Sequence, residues 1–313
     1  MTIRLSWPSQ ASKALTSIEI YRKVGHSATL DINNPGTPTA TVAGDATQYV
    51  EDVANLTEKT VYTYWIAAVK GTERLFSAPI VQGFFLDTGP GPQKLLMGDW
   101  YAGYFGVVSN QELAAREDII GTGGGLTAAQ AAQYKYAQNW WYKFVYKGRI
   151  VYYPNVRTGY AAYADTYNAG MAYGVDGVGP IIPTGANPTA GVPQTAMFTK
   201  NGYKYRVRLP YGLDYSVSVA STDYDNGEFR NTFARLFATN TSYTDPKDQG
   251  KFASLALLSS GTTTTENGTT AMVPLYTPAN ALYCYGYNPT AITYAGISGQ
   301  TFSMFFVLEL VLP

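Results

Sequence analysis

The stretch WWYKFVYKGRIVYYP, from Trp140 to Pro154, leaves the backbone little choice. Aromatic and β-branched residues crowd it, and such side chains suit a pleated strand. Lys147-Gly148 interrupts the run where a two-residue hairpin turn would sit. The reading is two antiparallel strands, Trp140–Tyr146 and Arg149–Tyr153, with a solvated Lys-Gly-Arg tip. A period of two puts Trp141, Lys143 and Val145 on one face of the first strand. Trp140, Tyr142, Phe144 and Tyr146 fall on the other. With aromatic residues at nearly every position, both faces are expected to be covered, one by a core and one by a helix or a neighbour. A ligand-stacking platform is the competing reading, but apolar stripes at strand spacing are usually core.

The same alternation opens the chain. IRLSW (Ile3 to Trp7), SIEIYRK and TVYTYWIAAVK read as strands separated by Gly- and Pro-rich turns. Ile18, Ile20 and Arg22 share a face, and LFSAPIVQGFF, Leu75 to Phe85, reads as a closing strand. DTGPGPQK marks a boundary, which gives an N-terminal β-sandwich over residues 1–87, a linker over 88–97 and an α+β domain over 98–313. In the last of these, Ser109 with Glu112 and Thr127 look like helix caps. Tyr163, Tyr167 and Met171 follow a helical period that stops at Gly174, as do Phe229, Phe233, Leu236 and Phe237. TFSMFFVLELVLP reads as a buried final strand. The fold class is β-rich with two domains.

Composition narrows the function. Charged residues make up 14% of the chain against about 25% in an average protein, and 22 bases balance 22 acids. That lacks the footprint of a nucleic-acid binder. Weak self-repulsion and 27 tyrosines fit a protein that buries surface against neighbours. Cys284 is the one cysteine, so no internal disulfide framework or multi-cysteine zinc site exists, and a reducing cytosol is the expected place of folding. No apolar run approaches the length of a membrane span.

Catalytic chemistry finds few bases. His26, the single histidine, lies in the polar stretch KVGHSATLD and reads as a solvated loop residue. GTGGGL lacks the Lys-Ser/Thr of a phosphate loop. Asp223, Asp225 and Glu228 form part of a calcium-loop pattern without its distant bidentate Glu, and the alternative is that this stretch starts a helix near Glu228. Asp223 and Glu228 would be the pair for a glycosidase. No cofactor is expected.

Two resemblances emerge from these residues. Trp7, IYRK and YVEDVANLTEKTVYTYWIAAV resemble a fibronectin type III domain. That implies Trp7 at the centre of the sandwich and Tyr62 as a tyrosine corner bonded to the preceding turn. In that family the Trp stands on the second strand, so the resemblance implies a sandwich without the first strand and an open edge near Ile3 to Trp7, covered by another part of the chain or by a partner. From Gly98 onward, GDWYAGYFGVVSNQEL, WYKFVYKGRIVYYP, TYNAGMAYG, GYKYRVRLPYG, GEFRNTFARLF and FVLELV resemble, in that order, a domain of tailed-bacteriophage virion structural proteins. Phe229 stands where relatives usually carry Trp. The resemblance implies a non-enzymatic component of a phage tail, neck or fibre-like appendage that works by subunit assembly in the virion. Its partners would be other virion proteins and copies of itself. Trp7, Tyr62, Trp140, Trp141, Phe144, Tyr153, Phe229 and Phe233 are the structural and interface candidates. A host-surface glycan or receptor-binding module is the alternative function, and a capsid decoration protein a third.

Overall fold

The computed structural model describes residues 2–121, 123–180, 182–183, 186–211, 227–236, 271–277, 281–285, 292–296 and 301–312. The chain divides into two compact units, Met1–Thr88 with Asp99–Tyr101, and Gly89–Gly98 with Ala102–Pro313. The described elements are β-rich, with several antiparallel sheets.

The first unit contains β1 (Arg4–Ser6), β2 (Ser17–Val24), β3 (Ala40–Ala43), β4 (Gln48–Val50), β5 (Thr60–Lys70), β6 (Glu73–Phe76) and β7 (Ile80–Phe84). β1 pairs with β4 in a two-stranded sheet. The other sheet runs β3-β2-β5-β6, and β7 also pairs with β5. β6 and β7 succeed one another along one edge of β5, opposite Ala67–Lys70 and Thr60–Tyr64. The closing strand is therefore broken rather than continuous. Pro79 has no N–H to offer the ladder, and Ser77 bridges the break by accepting from the Ile66 N–H at 3.0 Å through its Oγ.

Alternation sets the core of this unit. Ile18 and Ile20 on β2 meet Ile3, Leu5, Tyr62, Tyr64 and Phe84. Tyr21, Trp65 and Ala67 form a smaller cluster under Ala28, Leu30 and Phe76. Trp7 departs from expectation, since it packs half-buried against the main cluster while Ile3 and Leu5 are buried within it. Its indole N–H must reach an acceptor, and the Ala46 carbonyl supplies one at 2.7 Å. Tyr62 is buried, and its hydroxyl accepts from the Thr57 N–H at 2.7 Å, five residues upstream. Glu51, 2% exposed, accepts from Tyr49 at 3.0 Å and Tyr64 at 3.2 Å and pairs with Arg22 at 3.3 Å. One carboxylate thus ties the end of β4 to both central strands of the opposite sheet. Burial, reinforced by that charge, pushes the Tyr49 hydroxyl up to about 12.

The second unit is built on a seven-stranded antiparallel sheet. Its strands are β8 (Met97–Gly98), β9 (Ala102–Ser109), β10 (Trp140–Tyr146), β11 (Arg149–Pro154), β13 (Met197–Lys200), β14 (Tyr203–Arg208) and β19 (Val307–Val311). Their order is β13-β14-β19-β11-β10-β9-β8. β12 (Gly159–Ala162) pairs with β18 (Thr301–Met304). β15 (Ala271–Thr277), β16 (Ala281–Tyr285) and β17 (Ile292–Gly296) form a three-stranded meander. The chain's last apolar run is thus two strands, and β19 lies inside the large sheet between β14 and β11.

The helices here are shorter than the sequence implies: α1 (Arg116–Ile120), α2 (Ala128–Ala131), α3 (Tyr163–Asn168) and α4 (Glu228–Asn231). Ser109 and Glu112 do exchange bonds, but they close the turn after β9. α1 begins at Arg116, where the Asp118 carboxylate accepts from the Ala115 N–H at 3.0 Å. Thr127 caps α2 as expected. α3 ends before Gly170, whose φ of 75° turns the chain, so Met171 lies beyond the helix and Gly174 is not its stop. Short helices on large sheets make this unit β-rich rather than evenly α+β.

The hairpin forms as read, with Lys147 and Gly148 at φ 48° and 78°. Both faces of β10 are covered, and Trp141 through Tyr146 are all buried. Lys143 is fully buried. Its ammonium donates to the Gly89 carbonyl at 3.1 Å and the Pro92 carbonyl at 2.8 Å, and it lies 5.0 Å from the Phe105 ring centre. Tyr152 donates to the Pro90 carbonyl at 3.1 Å, and Gln93 to the carbonyls of Gly89 and Gly91. The stretch expected to be a linker is therefore a strap bonded to the large sheet. A Cβ at Gly91 would fall 2.4 Å from Val108, so only glycine lets the strap lie this close.

Lys143→Met would take the ammonium from two strap carbonyls, leaving the Gly89 carbonyl to Gln93 and the Pro92 carbonyl without its donor. We expect a loss of about 2–4 kcal/mol in urea denaturation. Proteolytic cleavage between residues 89 and 94 should rise with it, and an unchanged cleavage rate would contradict the strap.

Candidate functional site

β14 ends at Arg208, a charged residue within a strand whose neighbours Val207 and Leu209 are buried. With no exposed surface, its guanidinium must find protein acceptors for its N–H groups. It makes a bidentate pair with Glu228, Nη1 to Oε1 at 2.9 Å and Nη2 to Oε2 at 2.7 Å. Nε and Nη2 reach Glu309 on β19 at 2.7 and 2.6 Å, and Nη1 also donates to the Leu209 carbonyl. Its carbon centre stands 3.7 Å from the Tyr211 ring centre. Burial raises the Glu228 carboxyl, but the Arg208 charge and hydrogen bonds outweigh it and the net shift is downward.

Glu228 is the one member of the proposed calcium set within the described residues; Asp223 and Asp225 lie outside them. Both of its oxygens are bound by Arg208, and Tyr153 donates to Oε1 at 3.0 Å. Its place is the first residue of α4, which agrees with the helix-start reading. This is the geometry of a carboxylate that holds structure. Among the described residues no group of three or more His, Cys, Asp or Glu side chains could hold a metal.

The aromatic candidates gather around that pair. Tyr153 stacks on Phe233 with ring centres 5.3 Å apart and planes 4° apart, and it meets Phe144 edge-on at 5.5 Å. Phe229 completes the cluster, 6.2 Å from Tyr153 and 5.8 Å from Phe233. Trp141 is buried too and donates to the Ala114 carbonyl at 2.9 Å. The structure thus places Trp141, Phe144, Tyr153, Phe229 and Phe233 in a core. Trp140 differs, being 39% exposed at the start of β10.

Trp140 belongs to a strip that sequence reasoning did not single out. Its N–H and that of Asn139 both donate to the Asn155 side chain, and the Tyr136 N–H donates to the Thr158 carbonyl. Residues 136–140 therefore run beside 155–158. Arg157 lies with its guanidinium 4.6 Å from the ring centre of Tyr136 and 5.8 Å from that of Tyr160, both exposed tyrosines. The pattern Arg-x-x-Tyr just after a strand carried too little periodicity to be found in advance.

A second surface lies in the first unit. The Glu51 N–H bonds the Ile3 carbonyl and the Trp7 N–H bonds the Thr47 carbonyl, with Leu5 opposite Tyr49. Antiparallel strands alternate, so Arg4 and Ser6 turn their N–H and C=O groups away from β4. Among the described residues no other strand pairs with β1.

His26 is half-buried; its Nδ1 lies 2.6 Å from the Ser27 hydroxyl and its ring 5.7 Å from Tyr101. Cys284 lies on β16, opposite Met272 and Thr293 in the ladder. No protein-family model matches the chain, and no curated protein matches it significantly.

Arg208→Ala would strand Glu228 in the core and is expected to cost about 3–5 kcal/mol in chemical denaturation. Since folding lowers the Glu228 pKa, its contribution is complete above the ordinary carboxyl value of 4.5 and is lost as pH falls through the lowered folded value. The wild-type chain should therefore lose stability on acidification below about pH 4.5, and Glu228→Gln should lose less over the same range.

Proposed function

We propose that this chain is a structural component of a tailed-phage particle, in a tail, neck or fibre-like appendage, and that it acts by binding neighbouring subunits in the virion. The observation that carries this reading is the outward-turned edge of β1. A strand edge with free donors and acceptors is a template for another chain, and monomeric proteins cover or blunt it. β1 is short but holds no Pro or Gly, and Trp7, next after it, is only partly buried against the core cluster.

The fibronectin type III reading of the first unit supports the same conclusion. The two-sheet pairing and the Thr57-to-Tyr62 bond support that fold, and among the described residues β1 pairs with β4 alone, on the edge where the resemblance expects an opening. An extended segment from a neighbouring subunit would complete the sheet by strand addition. For the second unit the support is the ordered set of segments that resemble virion structural proteins, together with their packing into an aromatic core.

Mass spectrometry of purified particles should find the chain in many copies, and its absence would end this reading. Ser6→Pro removes one outward N–H and leaves the β4 pairing intact, so the variant should fold normally yet enter particles several-fold less. Normal incorporation of Ser6→Pro would show that the edge is not the contact.

A further inference from the structure

The exposed strip of the second unit has a polarity. At one end, Lys135 and Arg157 accompany Tyr136 and Tyr160; the Lys135 ammonium donates to the Tyr160 carbonyl at 2.6 Å and Arg157 lies against both rings. At the other end, Trp140 stands opposite Ser109 in the ladder. Ser109 donates through its N–H at 3.2 Å and its hydroxyl at 3.0 Å to Glu112, an exposed carboxylate. Val107, 47% exposed, is the next residue of β9 on that face.

We propose that this strip is the contact of a two-fold dimer of the chain. Trp, Tyr and Arg are the side chains that dominate binding energy at protein interfaces. A two-fold contact uses one patch twice, so the patch must complement itself. This one does: a dyad across the strip sets the cationic end against the Glu112 end of the second copy, with the exposed rings between. The cations of one copy face the Glu112 carboxylate of the other, and the chain as a whole carries no net charge to oppose pairing. A polyanion, whether acidic glycan or nucleic acid, would meet the Glu112 carboxylate at one end of the strip and is disfavoured on that count.

The inference rests on reading the chain as an assembly component, but its test needs only the purified full-length chain. Sedimentation velocity between about 1 and 200 µM should show a monomer–dimer equilibrium. Trp140→Ala and Tyr160→Ala, each folded by circular dichroism, should weaken it more than about tenfold. Arg157→Glu should do the same, and adding Glu112→Arg to it should restore dimerisation by reversing the pair. A chain monomeric throughout, or a dimer indifferent to Trp140 and Tyr160, overturns the proposal; so does failure of the reversed pair to restore it. Tyr160-dependent binding of a monomeric chain to an acidic oligosaccharide would overturn it in favour of a sugar site. None of these results alters the particle reading, which mass spectrometry decides separately.

Discussion

A guanidinium sealed from water is the constraint around which the second unit is arranged. Arg208 needs acceptors on every side, and it takes them from its own strand end, from β19 and from α4. α4 is only four residues long and has little helical stability of its own. What fixes it is the carboxylate of its first residue, held by Arg208 and by Tyr153 of β11. That attachment seats Phe229 and Phe233 over Tyr153 and Phe144. A buried ion pair contributes little net stability compared with a well-packed apolar replacement. Its effect here is selective: a different seating of α4 would part Glu228 from Arg208 and leave the guanidinium only Glu309 and the Leu209 carbonyl as acceptors.

The same logic recurs at two other places, each with a charge set among apolar neighbours. Glu51 joins the two sheets of the first unit through two tyrosines and an arginine. Lys143 binds a Gly-Pro strap across the large sheet. In each case the polar group reaches partners far away in sequence, so it specifies which segments meet. The apolar residues around it supply the larger share of the driving force but would accept many arrangements.

Much of the local structure was legible. The period of two in WWYKFVY and the Lys-Gly turn predicted the hairpin to within one residue, the second strand running on to Pro154, because strand pairing and turn geometry are decided within fifteen positions. Tyr62 was recognisable because its partner lies five residues away. Long-range features were not. Lys143, Arg208 and Glu309 each interrupt an apolar strand, which signals a buried partner without naming it. Gly and Pro at 89–92 predicted a linker, since the same residues that mark a boundary between domains also let a strap lie close to a sheet. Helix lengths were overestimated because cap-like pairs such as Ser109 with Glu112 can also close a turn, and local sequence does not separate the two.

The distribution of tyrosine connects this interior to the surface. A tyrosine-rich, weakly charged chain reads at first as one that spends its rings on contacts with other molecules. Instead, Tyr134, Tyr152, Tyr153 and Tyr211 are buried and send their hydroxyls to carbonyls or to Glu228, so the phenol serves as an apolar body with a directed polar tip. With the interior accounting for them, the rings left outside gain significance. Tyr136, Trp140 and Tyr160 share one strip, whereas other exposed apolar residues of this unit, such as Leu96 and Ile182, are far from it in sequence. A protein with few charges has two ways to bind firmly: aromatic area at a self-complementary patch, and backbone pairing at an open strand edge. The second unit presents the first and the first unit presents the second.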